Sequence, residues 1–162
     1  MSIYSFAREF EKESQDYYYE LAEKTNEKGL KNILTMLAGA EAKHLKMIES
    51  LEKGNHQILD TGTDILGNAR QIFKNMKGHT VSVSDEMSQT DLYKKALILE
   101  RESHSFYTDK ADTLEPGHER DVLFMLAEEE KKHAFLIENI IEFVQRPQTW
   151  IEDAEFYHLD EY

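Results

Sequence analysis

The chain carries the same residue pattern twice, with matching residues 89 positions apart. Each copy has a Glu followed by a Tyr after six intervening residues. Further along, it has a second Glu followed by a His after two intervening residues. The matched pairs are Glu11 and Glu100, Tyr18 and Tyr107, Glu41 and Glu130, and His44 and His133. Because each copy is too small to enclose a site by itself, the repeat predicts two similar units that each supply one half of a shared centre.

Each copy is predicted to form a pair of amphipathic helices. Apolar residues recur in it at intervals of three and four, which is the period of one helix face. The helix pairs cover about 3–54 and 90–145, and apolar positions follow the same offset, for example Leu34 and Leu123. Four long helices with a short connection inside each pair indicate an all-α fold, an antiparallel four-helix bundle. Residues 1–145 are therefore predicted to form one domain.

A crossover at 55–89 joins the two helix pairs, and a tail at 146–162 follows them. The length of the crossover suits a connection that runs along the bundle. A short amphipathic helix is predicted within it, with the apolar residues Ile65, Leu66, Ala69, Ile72, Phe73 and Met76. A proline ends the fourth helix. The tail is expected to pack Trp150 and Phe156 on the bundle or on a partner subunit.

The composition excludes several kinds of protein. The chain has no cysteine, so it has no disulfides, no thiolate metal sites and no cysteine nucleophile. The formal charge is −13, from 32 acidic and 19 basic residues, which disfavours nucleic acid as a partner and attracts cations. The apolar runs are too short to cross a membrane. Residues 1–5 lack the pattern of a secretory signal, so we expect the protein in the cytoplasm.

The repeated carboxylates and imidazoles have the spacing of metal ligands. Residues three apart on a helix share a face, so Glu41 and His44 point at one place. The same holds for Glu130 and His133, and Glu11 and Glu100 also lie on apolar stripes that face the bundle interior. Four buried carboxylates would be very costly without partners, whereas two divalent cations would balance their charge. Carboxylate with imidazole suits iron or manganese, and zinc could substitute.

The symmetry of the repeat suggests how the ligands are divided. Glu41 and Glu130 would bridge two metal ions. Glu11 and His44 would complete the coordination of one ion. Glu100 and His133 would complete the coordination of the other. Tyr18 and Tyr107 are predicted to be core aromatics whose hydroxyl groups bond to these ligands.

Other candidate ligands fit the repeat less well. Two further Glu-x-x-His matches occur, at 115–118 and 155–158. The first contains Pro-Gly, which prevents a regular helix, and the second, Glu155 to His158, lies in the tail without a counterpart. His104 follows Glu100 by four residues, but its counterpart is Gln15, which argues against a symmetric ligand role.

The repeated motifs resemble those of the rubrerythrin branch of the ferritin-like superfamily, over residues from about 3 to 145. They are Glu11-x6-Tyr18-x3-Ala22, Glu41-Ala42-Lys43-His44, Glu100-x6-Tyr107-x3-Ala111 and Glu130-Lys131-Lys132-His133. The resemblance implies a ferritin-like four-helix bundle around a non-haem di-iron centre, and members reduce hydrogen peroxide or oxidise ferrous iron. Two departures stand out. Ser103 occupies the position of an additional glutamate ligand, and the paired Cys-x-x-Cys of a rubredoxin-like module is absent, so an external electron donor is expected.

Three functions are compatible with these motifs. The first is an oxidoreductase that reduces hydrogen peroxide or dioxygen with electrons from two ferrous ions, acting as a homodimer. The second is a ferroxidase or iron-storage protein with the same centre, because bacterioferritins share a similar six-ligand set. The third is a structural or regulatory bundle that metals only stabilise. A large cage would favour storage, and a dimer would favour the redox enzyme.

Overall fold

The computed structural model describes residues 2–55, 64–84 and 90–153, together with residues 159 and 162. These residues form six α-helices. Their bounds are α1 Ile3–Lys24, α2 Lys28–Glu52, α3 Ile65–Met76, α4 Thr90–Asp112, α5 His118–Gln145 and α6 Pro147–Glu152. The predicted all-α fold is confirmed for this part of the chain, and no helix in it is long and apolar enough to cross a membrane.

The helix ends follow from local side-chain chemistry. The Ser2 hydroxyl caps α1 by accepting a hydrogen bond from the backbone of Ser5, and Glu27 caps α2 in the same way. Asp64 caps α3 by accepting from the amide of Gly67. Gly54 follows α2 with a φ of 71°, a backbone conformation that glycine adopts without steric cost.

Two tightly packed antiparallel helix pairs form the bundle. Short connections at 25–27 and 113–117 fold α2 back on α1 and α5 back on α4, and these two pairs have the most extensive contacts. The pairs meet through α1 against α4 and α2 against α5. This arrangement follows the two copies of the sequence repeat and places the interior stripes of all four helices opposite one another.

The crossover helix and the start of the tail pack together on one side of the bundle. Helix α3 contacts α2, α5 and α6. The ring of Phe73 lies 4.7 Å from that of Trp150 and 5.3 Å from that of Phe143. At the α2 contact, a Cβ at Gly29 would collide with the methyl group of Met76, so the absence of a side chain permits the close approach.

The segment after residue 145 differs from the predicted tail because it begins with a helix. Pro147 ends α5 but occupies the first position of α6, where its fixed φ favours a helix and its missing N–H is not needed. Trp150 is fully buried against the bundle of its own chain. Phe156 lies outside the described residues.

A polar layer separates the core into two apolar clusters. One includes Leu34, Leu37 and Ile137, and the other includes Ile48 and Leu126. The glutamates and histidines predicted as ligands lie between them along α1, α2, α4 and α5. The bundle therefore seals this layer at both ends with apolar side chains.

Candidate metal centre

Four helices each contribute one glutamate to the polar layer. Glu11 comes from α1, Glu41 from α2, Glu100 from α4 and Glu130 from α5, and each is at most 1% exposed. These side chains lie on the apolar stripe of their helices, so the packing that forms the core also brings the carboxylates together. All six side chains predicted as ligands meet in this layer.

The six side chains form two overlapping groups whose ligand atoms lie within 4.8 Å of one another. The first group is Glu11, Glu41, His44 and Glu130, and the second is Glu41, Glu100, Glu130 and His133. The two groups share Glu41 and Glu130. Two carboxylates are thus common to both groups, and one carboxylate and one imidazole are specific to each, whereas the division of these residues between two metal ions stays a prediction.

The two imidazoles stack at the centre of the layer. Their ring centroids are 5.5 Å apart and their planes differ by 7°. The Nδ1 atom of His44 lies 2.6 Å from Glu130 Oε1, and that of His133 lies 2.8 Å from Glu41 Oε1. Each histidine therefore contacts the shared carboxylate of the opposite helix pair.

The two tyrosines of the repeat donate hydrogen bonds to carboxylates predicted as ligands in the other helix pair. The Tyr18 hydroxyl donates to Glu100 Oε1 at 2.5 Å, and the Tyr107 hydroxyl donates to Glu11 Oε1 at 2.6 Å. Burial and the nearby carboxylates raise the pKa of both phenols well above its usual value. Both hydroxyls thus keep their protons and act as donors.

The shared carboxylates lie where negative charge is unfavourable. Burial raises the pKa of Glu41 and of Glu130 well above its usual value, and repulsion from Glu100 and Glu11 raises it further. These two groups therefore favour the neutral form unless positive charge is placed beside them.

The pKa values of the other four residues predicted as ligands show how the centre attracts positive charge. Burial opposes ionisation of Glu11 and Glu100, but the field of His44 and His133 outweighs it and lowers the pKa of both carboxyls, that of Glu100 to about 2. Burial likewise disfavours the His44 cation, yet Glu11 raises the pKa of His44 to about 10. The layer thus requires compensating cations, either protons on the imidazoles or metal ions.

Carboxylate oxygens without hydrogen-bond partners indicate whether these residues fit a pair of metal ions. The Oε2 atoms of Glu11, Glu41, Glu100 and Glu130 are all buried without a hydrogen-bond partner. Buried carboxylate oxygens without a partner are costly, and four of them in one layer exceed what a folded core ordinarily contains. Oxygen and imidazole donors around these atoms suit divalent iron, manganese or zinc.

Among the described residues, the other candidates from the sequence belong to none of these ligand groups. The half-buried His104 ring lies with its Nδ1 atom 2.8 Å from the carbonyl oxygen of Ala127. His118 begins α5 while Glu115 precedes it, so these two residues do not share a helix face. Glu155 and His158 lie outside the described residues.

One carboxylate near the centre was not predicted. A Glu129 oxygen and one ring nitrogen from each of His44 and His133 lie within 4.8 Å of one another. The repeat did not indicate this residue because its counterpart is Ala40. Its position four residues before His133, on the neighbouring helix turn, is the signal that could have identified it.

The comparison with protein families gives a match over most of the chain. The rubrerythrin family model matches residues 3–141, which include all six residues predicted as ligands and both tyrosines. The chain belongs to the rubrerythrin family. No curated protein and no solved structure matches it. Membership of the rubrerythrin family implies iron binding, and the buried carboxylate and imidazole groups form a centre that could hold metal ions.

This rubrerythrin-type domain has serines where a seventh ligand would project. Ser103 is buried three residues after Glu100, and Ser14 is buried three residues after Glu11. The additional glutamate expected at position 103 is therefore replaced by a short side chain, and the symmetric position in the first half also carries a serine.

Proposed function

We propose that this protein is a non-haem di-iron oxidoreductase that reduces hydrogen peroxide or dioxygen, using electrons from an external donor. The observation that carries the proposal is the pair of ligand groups that share Glu41 and Glu130. Six donor residues at most 1% exposed, with four unpartnered carboxylate oxygens, form a site suited to two cations rather than one.

The proposed ligands fall into two sets and a shared pair. Glu11 and His44 would hold one iron, and Glu100 and His133 would hold the other. The two shared glutamates, Glu41 and Glu130, would contact both irons. Four carboxylate charges would then balance two divalent cations. Two ferrous ions bound there would supply the two electrons that, with two protons, convert hydrogen peroxide to two water molecules, or dioxygen to hydrogen peroxide.

The protein side chains hold the ligands in place and keep bulk water out. Tyr18 and Tyr107 orient the carboxylates of Glu100 and Glu11 through donated hydrogen bonds. The apolar clusters above and below the polar layer exclude solvent, which strengthens electrostatic interactions within it. A rigid, dry ligand set of this kind favours repeated electron transfer at resident metals.

The alternative is a ferroxidase that passes iron to a store. Burial of every proposed ligand favours ions that remain bound over ions in transit, which is why we place the oxidoreductase first. We further propose a cytoplasmic homodimer that acts in oxidative stress and receives electrons from a separate electron-transfer protein. The mass in size-exclusion chromatography separates the two functions, since a cage of many subunits would favour storage.

Anaerobic titration with ferrous iron, followed by stopped-flow mixing with peroxide or with dioxygen, tests the proposal. We expect two irons per chain and a ferric absorption band after oxidation, both lost in Glu130→Ala and His133→Ala. Glu138→Ala is the matched control, because Glu138 lies on the same helix but is half-exposed and pairs with Arg101. Binding of one iron or none by the unaltered protein would refute a di-iron enzyme.

A further inference from the structure

His133 has one ring nitrogen that the ligand layer does not use. Its Nδ1 atom lies 2.8 Å from Glu41, whereas its Nε2 atom is buried without a hydrogen-bond partner. A neutral imidazole that binds metal through one nitrogen carries a proton on the other. In a buried site that N–H group needs an acceptor, because an unpaired buried donor is unfavourable.

Glu129 is a carboxylate close to both imidazoles. One of its oxygens lies within 4.8 Å of a ring nitrogen of both His44 and His133. The Nδ1 atoms of the two histidines face Glu130 and Glu41, and Glu129 belongs to neither of the two ligand groups. Because both Nδ1 atoms already have a carboxylate beside them, the Nε2 atoms are the ring nitrogens left for Glu129.

Helix geometry explains why one residue can serve both rings. Side chains on a helix lean towards its N-terminus, so His133 lies over the turn that holds Glu129 and Glu130. Glu129 and Glu130 are thus both placed close to the His133 ring. In the first helix pair, His44 lies over Ala40 and Glu41, so its own helix offers no second carboxylate. The break in the repeat at position 129 thus supplies an acceptor that position 40 lacks.

The burial of Glu129 is consistent with a specific partner. Its side chain is only 13% exposed, although glutamate at a helix surface normally extends into water. The ammonium nitrogen of Lys132 lies 3.7 Å from its Oε1 atom and provides a positive charge on the outer side. The mostly buried Glu129 carboxylate therefore has possible hydrogen-bond donors on two sides, namely the lysine and the two imidazoles.

We propose that Glu129 is a positioning residue that accepts the Nε2–H groups of His133 and His44 and so directs both Nδ1 atoms to the metals. This inference rests on the proposed di-metal centre. A carboxylate behind a ligating imidazole fixes its tautomer and orientation and increases its basicity. One carboxylate shared by two imidazoles would couple the two halves of the centre.

Two substitutions at this position test the proposal without any turnover measurement. Glu129→Ala removes the acceptor, and Glu129→Gln keeps its size and one acceptor oxygen while it removes the charge. Anaerobic titration should show metal binding weakened by about 10- to 100-fold in Glu129→Ala and less in Glu129→Gln. Glu138→Ala, at the exposed face of the same helix, should bind as tightly as the unaltered protein.

Nitrogen-15 NMR of the zinc-loaded protein provides the readout that a purely structural role would not change. In the unaltered protein we expect both imidazoles to show a metal-bound Nδ1 and a slowly exchanging Nε2–H. In Glu129→Ala the exchange of these protons should become at least about ten times faster. In the double variant Ala40→Glu with Glu129→Ala, a carboxylate from the symmetric position should restore much of the lost affinity and protection.

The failure of this inference is distinguishable from failure of the proposed function. Unchanged affinity and unchanged imidazole signals in Glu129→Ala would overturn the role of Glu129 and leave the di-iron centre intact. Weaker binding with unchanged imidazole signals would also overturn it, because the effect would then be on folding. Absence of a second bound metal in the unaltered protein would instead refute the proposed centre itself.

Discussion

The hydroxyl group of Tyr18 donates a hydrogen bond of 2.5 Å to the carboxylate of Glu100, which belongs to the opposite helix pair. Tyr107 and Glu11 form the corresponding bond in the reverse direction. Each tyrosine therefore links its own helix pair to a proposed ligand of the other. These bonds hold the halves of the bundle together at the level of the centre, and they make the tyrosines sensitive points for both stability and metal binding.

Removal of one of these hydroxyls should destabilise the protein. Tyr18→Phe leaves a buried carboxylate without its donor, and a hydrogen bond to a charged group contributes about 1.5–3 kcal/mol. We expect a loss of that size in the free energy of unfolding, measured by urea denaturation. Tyr19→Phe is the control, since the Tyr19 side chain is 43% exposed and the change should stay within about 0.5 kcal/mol.

Removal of metal should lower the stability of the bundle. Four carboxylates crowd the layer, and ions that bind only the folded chain stabilise it by about 2.7 kcal/mol at a free concentration 100 times Kd. Thermal unfolding should therefore occur at a higher temperature with ferrous iron or zinc than with a chelator. Glu130→Ala should abolish most of this difference. An identical Tm with and without metal would contradict a stabilising role for the ions.

A glutamate at position 103 should make the protein more dependent on metal. Ser103 is buried on the face of α4 that carries Glu100, so Ser103→Glu adds a fifth carboxylate to the layer. The metal-free protein should lose stability, and metal should restore more of it than in the unaltered chain. Ser103→Gln, of similar size but uncharged, separates charge from crowding. Equal metal-dependent shifts in Tm for the two variants would show that the new side chain does not reach the ions.

Truncation of Trp150 should weaken the packing of α3 and α6 on the bundle. Its ring is fully buried and lies 4.7 Å from Phe73 and 5.6 Å from Phe143. Trp150→Ala should cost about 3–5 kcal/mol of unfolding free energy, because it leaves a cavity between the two rings. Trp150→Phe should cost less. Metal stoichiometry should be unchanged in both variants, since the cluster lies apart from the polar layer.

Alkaline pH should destabilise the protein in part through Tyr4. Burial and a hydrogen bond to Glu119 raise the pKa of this phenol from 10 to about 12 in the folded chain. Because the unfolded chain releases this proton first, the stability linked to Tyr4 is present below about pH 10 and is lost as pH rises towards 12. Tyr4→Phe should therefore flatten the fall in Tm between pH 10 and 12. A parallel fall in both proteins would contradict this contribution.

The fold and the ligand set could be predicted because both depend on spacing along a helix. A separation of three residues places Glu41 and His44 on one face regardless of what packs against it. The constant offset then identified the matching pair in the second half, and Pro-Gly excluded 115–118. Turn chemistry was harder to interpret. Pro147 was expected only to end a helix, but the residues after it pack on α3 and α5, and this packing stabilises a further helical turn.

The sequence by itself determined which residue types share a helix face, how many helices form the bundle and that the two halves are related, because helical period and repeat are local properties of the chain. The tertiary structure decided which groups meet across the halves. The donation from Tyr18 to Glu100 and the approach of Glu129 to His44 depend on how four helices pack. Those distances join residues about 80 or more positions apart, and they are fixed only when the apolar stripes come together in the core.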